Sequence, residues 1–452
     1  MRRAVIIGGG ISGLSSAYYL ARAGVGSTLI ERQPRLGGVI RSERIHGCLV
    51  ETGPDSFLAE KPWARELIRE LGLEGELIGS NDHLRVTYVL RGGRLLALPD
   101  GLMMMVPTRV WPVLRSPLLG WRTKLRMAAE IFRRVPMQAG RDRSVSEFVA
   151  EHYGREAVDY LAEPLLAGVY GGDPAELSVA AVLPRFLEME RRYGSLTRGV
   201  LAMRRRSRGQ RSGPLFQTLR DGLGKLVETL ASAAPHTEVI HREAEALEHR
   251  DDGYAVRVGG QWLEARNVVL ACPAWEAARL VRPLDGGLAA LLDGVPYRSS
   301  ITISLGYRRS EVMRPLAGFG FLIPKRERRR LAACTWVGTK FCYRVPDEMV
   351  LLRCFLGDEE LLAESDEALG LLVREELAEI IRLRAAPVFV RVARWPRSMA
   401  QYTVGHLERL AAIRARLAAL RGLQLAGNAY EGIGVSDCVR LGREAALRIA
   451  PR

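Results

Sequence analysis

Residues 4–31 read AVIIGGGISGLSSAYYLARAGVGSTLIE, and the order of residue types in this stretch decides the fold. Ala4 to Ile7 form an unbroken apolar run, suited to a parallel strand buried on both faces. Gly8, Gly10 and Gly13 follow in G-x-G-x-x-G spacing. From Ser12 to Ala23 the pattern turns helical, with Leu14, Ala17, Tyr18 and Ala21 recurring at three- and four-residue intervals. The result is strand, tight turn, helix. Gly8 makes the turn, Gly10 lets the backbone approach a pyrophosphate, and Gly13 allows helix and strand to pack closely, while the helix N-terminus favours the anion. A second strand, STLIE, ends at Glu31, where a carboxylate can accept hydrogen bonds from an adenosine ribose.

Directly beyond Glu31 come Arg32-Gln33-Pro34-Arg35-Leu36-Gly37-Gly38 and, further on, Glu51-Thr52-Gly53-Pro54-Asp55-Ser56-Phe57. A simple nicotinamide enzyme does not need a second glycine pair here, whereas the longer FAD runs from the first loop across such a segment. On these motifs the chain resembles the FAD-dependent amine oxidase superfamily, whose members carry GxGxxG, a glutamate and then R-x-G-G. Three later stretches read as returning pieces of the same nucleotide domain. Residues 213–247 read as a helix then a strand, and 264–274 (EARNVVLACPA) as a buried strand ending in small residues. Residues 423–447 read as an apolar strand, a turn with Gly427, Gly432 and Gly434, and an amphipathic helix, which makes a second anion site. The expected class is α/β. A Rossmann-type FAD-binding domain (1–84, 213–277 and 395–452) would carry an inserted mixed α+β substrate domain (85–98 and 278–394) and a helical insertion (99–212).

The insertions differ in character. PDGLMMMVPTRVWPVLRSPLLGW (99–121) mixes Met, Trp and Leu with Arg109 and Arg115, and Arg122 follows. That composition suits either a membrane headgroup boundary or the wall of a hydrophobic channel. SSITISLGY, FGFLIP, LAACTWV and MVLLRCFLG alternate with period two, as in an antiparallel sheet with one side facing a pocket. KRERRR (325–330), between two of these strands, reads as a solvated turn.

The 452 residues carry 66 Lys and Arg against 51 Asp and Glu, a net charge of +15, and 48% are hydrophobic. This is a globular composition, not a disordered or fibrous one. Only five of the basic residues are lysine, and no continuous basic tract marks a nucleic-acid partner. The excess fits either an arginine bias of the whole genome or an anionic ligand or membrane surface. Six scattered cysteines, Cys48, Cys272, Cys334, Cys342, Cys354 and Cys438, form no CxxC pair and have no nearby zinc-spaced histidine, so neither disulfides nor a metal site is expected. MRRAVIIGGG enters the glycine loop before any signal-type apolar segment, and no uncharged run approaches the roughly 18–20 residues that span a bilayer. The expected location is the cytoplasm, soluble or peripheral on the inner face of the cell membrane. Nothing in the sequence fixes an oligomeric state.

Five further strings narrow the resemblance: GPDSFL (53–58), EPLLAGVYGGDPAELS (163–178), ACTW (333–336), RWPRSMAQYTVGH (394–406) and AGNAYEGIGVSDC (426–438). With the N-terminal pattern they make the chain similar, over essentially its whole length, to the oxygen-dependent porphyrinogen oxidases of haem synthesis. The resemblance implies six-electron oxidation of a porphyrinogen in three two-electron steps, with non-covalent FAD as acceptor and dioxygen leaving as hydrogen peroxide. Coproporphyrinogen III is the leading substrate and protoporphyrinogen IX the alternative. An amine oxidase or carotenoid desaturase sharing only the scaffold is more distant. FAD carries this chemistry, so no catalytic side chain is implied, and the seven histidines, His46 and His406 among them, read as structural.

For the cofactor, the resemblance implies Gly8, Gly10, Ser12 and Gly13 at the pyrophosphate and Glu31 at the ribose, with Ile11 and Arg32 beside them. It implies Gly37, Gly38, Gly53, Pro54, Asp55 and Ser56 along the cofactor and the Ala244 backbone at the adenine. Trp395, Ile433, Gly434 and Val435 would complete that site. For the substrate it implies Gly168 beside the macrocycle edge, Leu322, Cys334 and Phe355 lining the pocket, and Arg85 and Lys61 meeting propionates. Cys438 lies where many amine oxidases attach FAD, and reads instead as a small packed residue.

Overall fold

The apolar run Ala4–Ile7 forms the central strand of a five-stranded parallel sheet, ordered Thr237–Ile240, Ser27–Ile30, Ala4–Ile7, Asn267–Leu270, Leu423–Leu425. All four of its side chains are buried, as a strand covered on both faces requires. Helix Ile11–Arg22 follows the glycine turn and packs on helix Val435–Ile449. Small residues let the two backbones meet. A Cβ on Gly442 would lie 2.3 Å from the Ser12 carbonyl oxygen, and the Ser16 hydroxyl donates to the carbonyls of Ser12 and Gly442, both at 3.0 Å.

The computed structural model describes residues 4–135, 141–206, 213–313 and 316–450. The chain gathers into two units. The parallel sheet belongs to the first (Met1–Ser80, Pro214–Pro296 and Glu408–Arg452), and the second comprises Asn81–Gly213 and Tyr297–Leu407.

A seven-stranded sheet organises the second unit, in the order Phe389–Ala400, Tyr297–Arg308, Met349–Leu356, Leu331–Trp336, Gly320–Leu322, Thr87–Arg91, Arg94–Ala97. Its pairs are antiparallel except Gly320–Leu322 with Thr87–Arg91, which run parallel. One face carries Ile301, Ile303, Leu305, Leu352 and Cys354, which share a core with Leu369, Val373 and Leu377 of helix Asp366–Ile380. The period-two pattern of the sequence is this division into faces.

The unit boundaries differ from those read in the sequence, for local reasons. The Asn81 amide donates to the Lys340 carbonyl at 3.0 Å and its side chain to that of Thr339 at 3.0 Å, so 81–84 joins the sheet unit. Helices Ala274–Val281 and Gly286–Asp293 pack together, and Asp285 pairs with Arg416 at 2.9 Å, which keeps 278–296 with the parallel sheet. Strand Phe389–Ala400 runs straight through Trp395, so 395–407 belongs to the second unit. The helical stretch 99–212 is no separate unit: the Ser178 amide donates to the Tyr402 carbonyl at 2.7 Å, and the Lys325 amide to Glu163 Oε2 at 3.1 Å. KRERRR is the solvent-exposed turn that its composition suggests, and its side chains pair across the surface. Lys325 pairs with Asp173 at 3.0 Å, Arg326 with Asp159 at 2.7 Å, Arg330 with Asp358 at 2.9 Å, and Arg329 with Glu379.

Candidate functional site

The residues that the sequence singles out fall into two groups, one in each unit. In the first, helix Ile11–Arg22 begins at Gly10 with no side-chain cap and no acidic residue in its first turn. Its first amides therefore have no intrahelical acceptor, although Ile11, Ser12 and Gly13 are all buried. A buried, uncapped helix start is an anion cradle. The glycines shape it. A Cβ on Gly10 would meet nothing within 4 Å, so that side of the loop is open to a ligand, whereas one on Gly13 would fall 1.9 Å from the Gly8 carbonyl oxygen. Gly8 has φ +110, and a Cβ there would lie 2.6 Å from the Ala271 carbonyl oxygen, so the returning segment 264–274 closes on the loop from the other side.

Glu31 accepts the Gly9 amide through Oε2 at 2.7 Å and the Gln33 amide through Oε1 at 2.8 Å, which orients the carboxylate and leaves each oxygen a further lone pair for ribose hydroxyls. Arg35 holds the next glycine pair through the carbonyls of Gly38 (2.6 Å), Leu36 (3.2 Å) and Ile40 (3.3 Å). Gly37, at φ +102, bridges to Gly10, and its amide donates to the Gly9 carbonyl at 2.8 Å. A Cβ on Gly53 would fall 1.8 Å from the Val39 carbonyl oxygen, so Gly53 follows close behind this loop, with Pro54, Asp55 and Ser56 half-buried after it. The Ala244 carbonyl, at the start of its strand, accepts from Arg279 Nη2 at 2.6 Å. These features fit FAD: an open backbone cradle for its pyrophosphate and an oriented carboxylate for its ribose.

Helix Val435–Ile449 is different. At its N-terminus the Gly434 amide donates to Asp437 Oδ2 at 3.3 Å, so an acidic side chain of its own first turn stands at this helix start. Asp437 also pairs with Lys61, the lysine expected at a propionate: Lys61 Nζ lies 2.6 Å from Asp437 Oδ2. The Lys61 carbonyl accepts from the Ser436 hydroxyl at 3.0 Å, and the Ala64 amide donates back to that hydroxyl at 3.0 Å. Lys61 therefore joins helix Pro62–Glu70 to helix Val435–Ile449 and brings Ile433, Gly434 and Val435 alongside its own segment. Burial pushes the Cys438 thiol up to about 12 despite a hydrogen bond with Ser12, so it is a neutral packing residue.

In the second unit, register builds a row across the sheet. Leu322 pairs with Val89 on one side and Ala333 on the other, Ala333 with Phe355, Phe355 with Thr302, and Thr302 with Ala393. Leu322 and Phe355 thus share one face, and Trp395 shares it too, two residues along its strand from Ala393. Gly168, on helix Glu163–Tyr170, stands over this face: a Cβ there would lie 3.7 Å from Leu322 Cδ2. Cys334 does not join them. It points into the opposite core, paired in register with Cys354, because its position in the strand has the other parity. Arg85 is exposed two residues before strand Thr87–Arg91, and among the described residues its guanidinium has no hydrogen-bond or ion-pair partner.

The sequence reading passed over Arg353. It is 6% exposed, lies on the Phe355 face, and places its guanidinium 4.7 Å from the Phe355 ring centre. The signal was an arginine at Phe355 parity inside an otherwise apolar strand. His152, held between Glu130 (2.8 Å) and Glu190 (3.1 Å), is buried among helices as a structural residue.

A family described as flavin containing amine oxidoreductase matches residues 11–450. The chain is similar to the coproporphyrinogen III oxidase of Bacillus subtilis, 33% identical over 98% of this chain and 97% of that one. It is also similar to the protoporphyrinogen oxidase of Bos taurus, 30% identical over 99% and 98%. A crystal structure of an Exiguobacterium sp. 255-15 protein ascribed to the protoporphyrinogen oxidases superposes with a TM-score of 0.89 at 30% identity, covering 99% of this chain and 98% of that one.

Proposed function

The chain belongs to the flavin-containing amine oxidoreductase family, and from that premise we propose that it is an FAD- and oxygen-dependent porphyrinogen oxidase of haem synthesis. Its substrate is coproporphyrinogen III and its product coproporphyrin III; protoporphyrinogen IX is the second reading, favoured by the bovine relative. The uncapped glycine-loop helix carries the proposal, because it gives FAD a site of its own in a chain similar to porphyrinogen oxidases along its whole length. When bound, FAD supplies the two-electron acceptor chemistry, three times per porphyrinogen, with dioxygen taking the electrons on as hydrogen peroxide.

The chain's own residues bind and orient. Gly8, Gly10, Ile11, Ser12 and Gly13 form the pyrophosphate cradle, and Glu31 takes the ribose. Cys438 is packed as a small buried side chain, which supports non-covalent FAD. Phe355 offers a ring face for a pyrrole, with Leu322 and Gly168 beside it. Arg85 offers an exposed guanidinium that can grip a propionate bidentately, and four propionates reward such a cation more than two do.

The surface of residues 104–135 favours a place at a membrane. Trp111 (70% exposed), Trp121 (68%), Leu125 (68%) and Phe132 (82%) stand out from short helices among exposed Arg109, Arg115, Arg122 and Arg126. Arg115 lies 5.9 Å from the Trp111 ring centre and Lys124 4.8 Å from that of Trp121. No described helix is long and apolar enough to cross a membrane. This surface seats the protein peripherally on an anionic lipid face, in a cell the inner face of the cytoplasmic membrane.

Steady-state oxidation of both porphyrinogens by the FAD-loaded protein tests the assignment. The expected result is a higher kcat/KM for coproporphyrinogen III. Faster oxidation of protoporphyrinogen IX at matched concentrations selects the second reading, and no oxidation of either overturns both.

A further inference from the structure

Helix Ala274–Val281 touches two landmarks of the adenosine half of the cofactor site with one of its faces. Trp275 and Arg279 are four residues apart and so project from the same side. The Arg32 guanidinium lies 5.6 Å from the Trp275 ring centre. Arg279 reaches the start of the neighbouring strand, donating through Nη1 to the Glu245 carbonyl at 2.8 Å and through Nη2 to that of Ala244 at 2.6 Å. Glu31, immediately before Arg32, is fixed by the Gly9 and Gln33 amides, and its own amide donates to the Ile240 carbonyl at 3.0 Å. One helix face therefore connects the residue after the ribose carboxylate with the backbone placed at the base.

We propose that Trp275 is a positioning residue for the adenine of FAD: its indole stacks Arg32 on one side, and the opposite face of that guanidinium carries the base. This rests on the FAD reading above. Arg32 is exposed, and a planar cation stacks on a base only where something holds its plane. The indole supplies that support through the cation–π contact, which removes side-chain freedom before the cofactor arrives. Arg279 keeps the helix, and with it the indole, in register with Ala244.

The test measures affinity of the apoprotein for FAD and for ADP, which carries only the adenosine and pyrophosphate, in the wild type and in the Trp275→Leu, Trp275→Phe and Arg32→Met variants. Calorimetry for ADP and flavin fluorescence for FAD need no turnover. Trp275→Leu should raise both dissociation constants by the same factor, roughly 3- to 10-fold. Trp275→Phe should recover most of the loss, and Trp275→Leu combined with Arg32→Met should be no weaker than Arg32→Met alone, because the two act as one stack. An unchanged ADP affinity in Trp275→Leu, an FAD loss without an ADP loss, or full additivity with Arg32→Met would overturn the proposal. Should Trp275→Leu fail to fold, Trp275→Phe against Arg32→Met decides: near-wild-type ADP binding in the first and loss in the second supports the stack, and equal affinities refute it. A wild type that binds neither FAD nor ADP would instead bring down the flavin assignment itself.

Discussion

At the scale of single residues, Gly10 and Gly13 separate binding from folding. A methyl on Gly10 meets no protein atom within 4 Å, and its φ of −71 suits any residue, so Gly10→Ala should leave the melting temperature of the apoprotein unchanged while lowering FAD affinity at least tenfold. Gly13→Val should lose both, since its Cβ would sit 1.9 Å from the Gly8 carbonyl oxygen. FAD titration beside thermal unfolding distinguishes them, and full FAD occupancy in a folded Gly13→Val protein would contradict this account of the loop. A second contrast comes from strand parity. Phe355→Ala should cut kcat/KM more than it cuts stability, whereas Cys334→Ser, in the core with Cys354, should cost about 1–2 kcal/mol of stability with KM unchanged. Urea unfolding and porphyrinogen kinetics on the two variants would show the opposite pattern if the faces were misassigned.

At the scale of elements, periodicity made much legible. The apolar run, the glycine loop and the helix appear as read, and the alternation in MVLLRCFLG became a strand with two distinct faces. What periodicity lacked was register. The resemblance groups Cys334 with Leu322 and Phe355 along the pocket, and only the pairing across strands reveals that it faces the other way. Lys61 was illegible for a different reason: its partner Asp437 lies far away in sequence, and no local pattern announces such a pair. Helix Glu163–Tyr170 gives a prediction at this scale. Burial pushes Glu163 up to about 7, reinforced by Asp173 and Asp159 and opposed by the Lys325 amide and charge. A carboxyl raised on folding contributes stability that is complete below its ordinary value and disappears as pH rises through about 7. Glu163→Gln should therefore match the wild type near pH 4 and exceed it by on the order of 2–3 kcal/mol at pH 8.5. Urea melts at the two pH values check this, and an equal difference at both would refute it.

At the scale of the molecule, the exposed aromatic and arginine surface of residues 104–135 should bind anionic vesicles reversibly and release them as salt rises, because exposed charges are screened within about 10 Å at 0.1 M ionic strength. Replacing Trp111, Trp121 and Phe132 with serine should abolish co-sedimentation with the vesicles and leave porphyrinogen turnover in solution intact. If the wild type does not sediment with vesicles, the surface is a protein contact. The parallel sheet has a consequence in time as well as in space. Its edge strand Leu423–Leu425 and the helix Val435–Ile449, which lies against the glycine-loop helix through Gly442, are translated hundreds of residues after the loop they support. On the ribosome, the glycine loop therefore waits through nearly all of synthesis without its supporting helix. Flavin capture comes late and reports that the distant segment has been made, so a chain stopped short of it is released colourless and distinguishable from the finished enzyme by its lack of yellow.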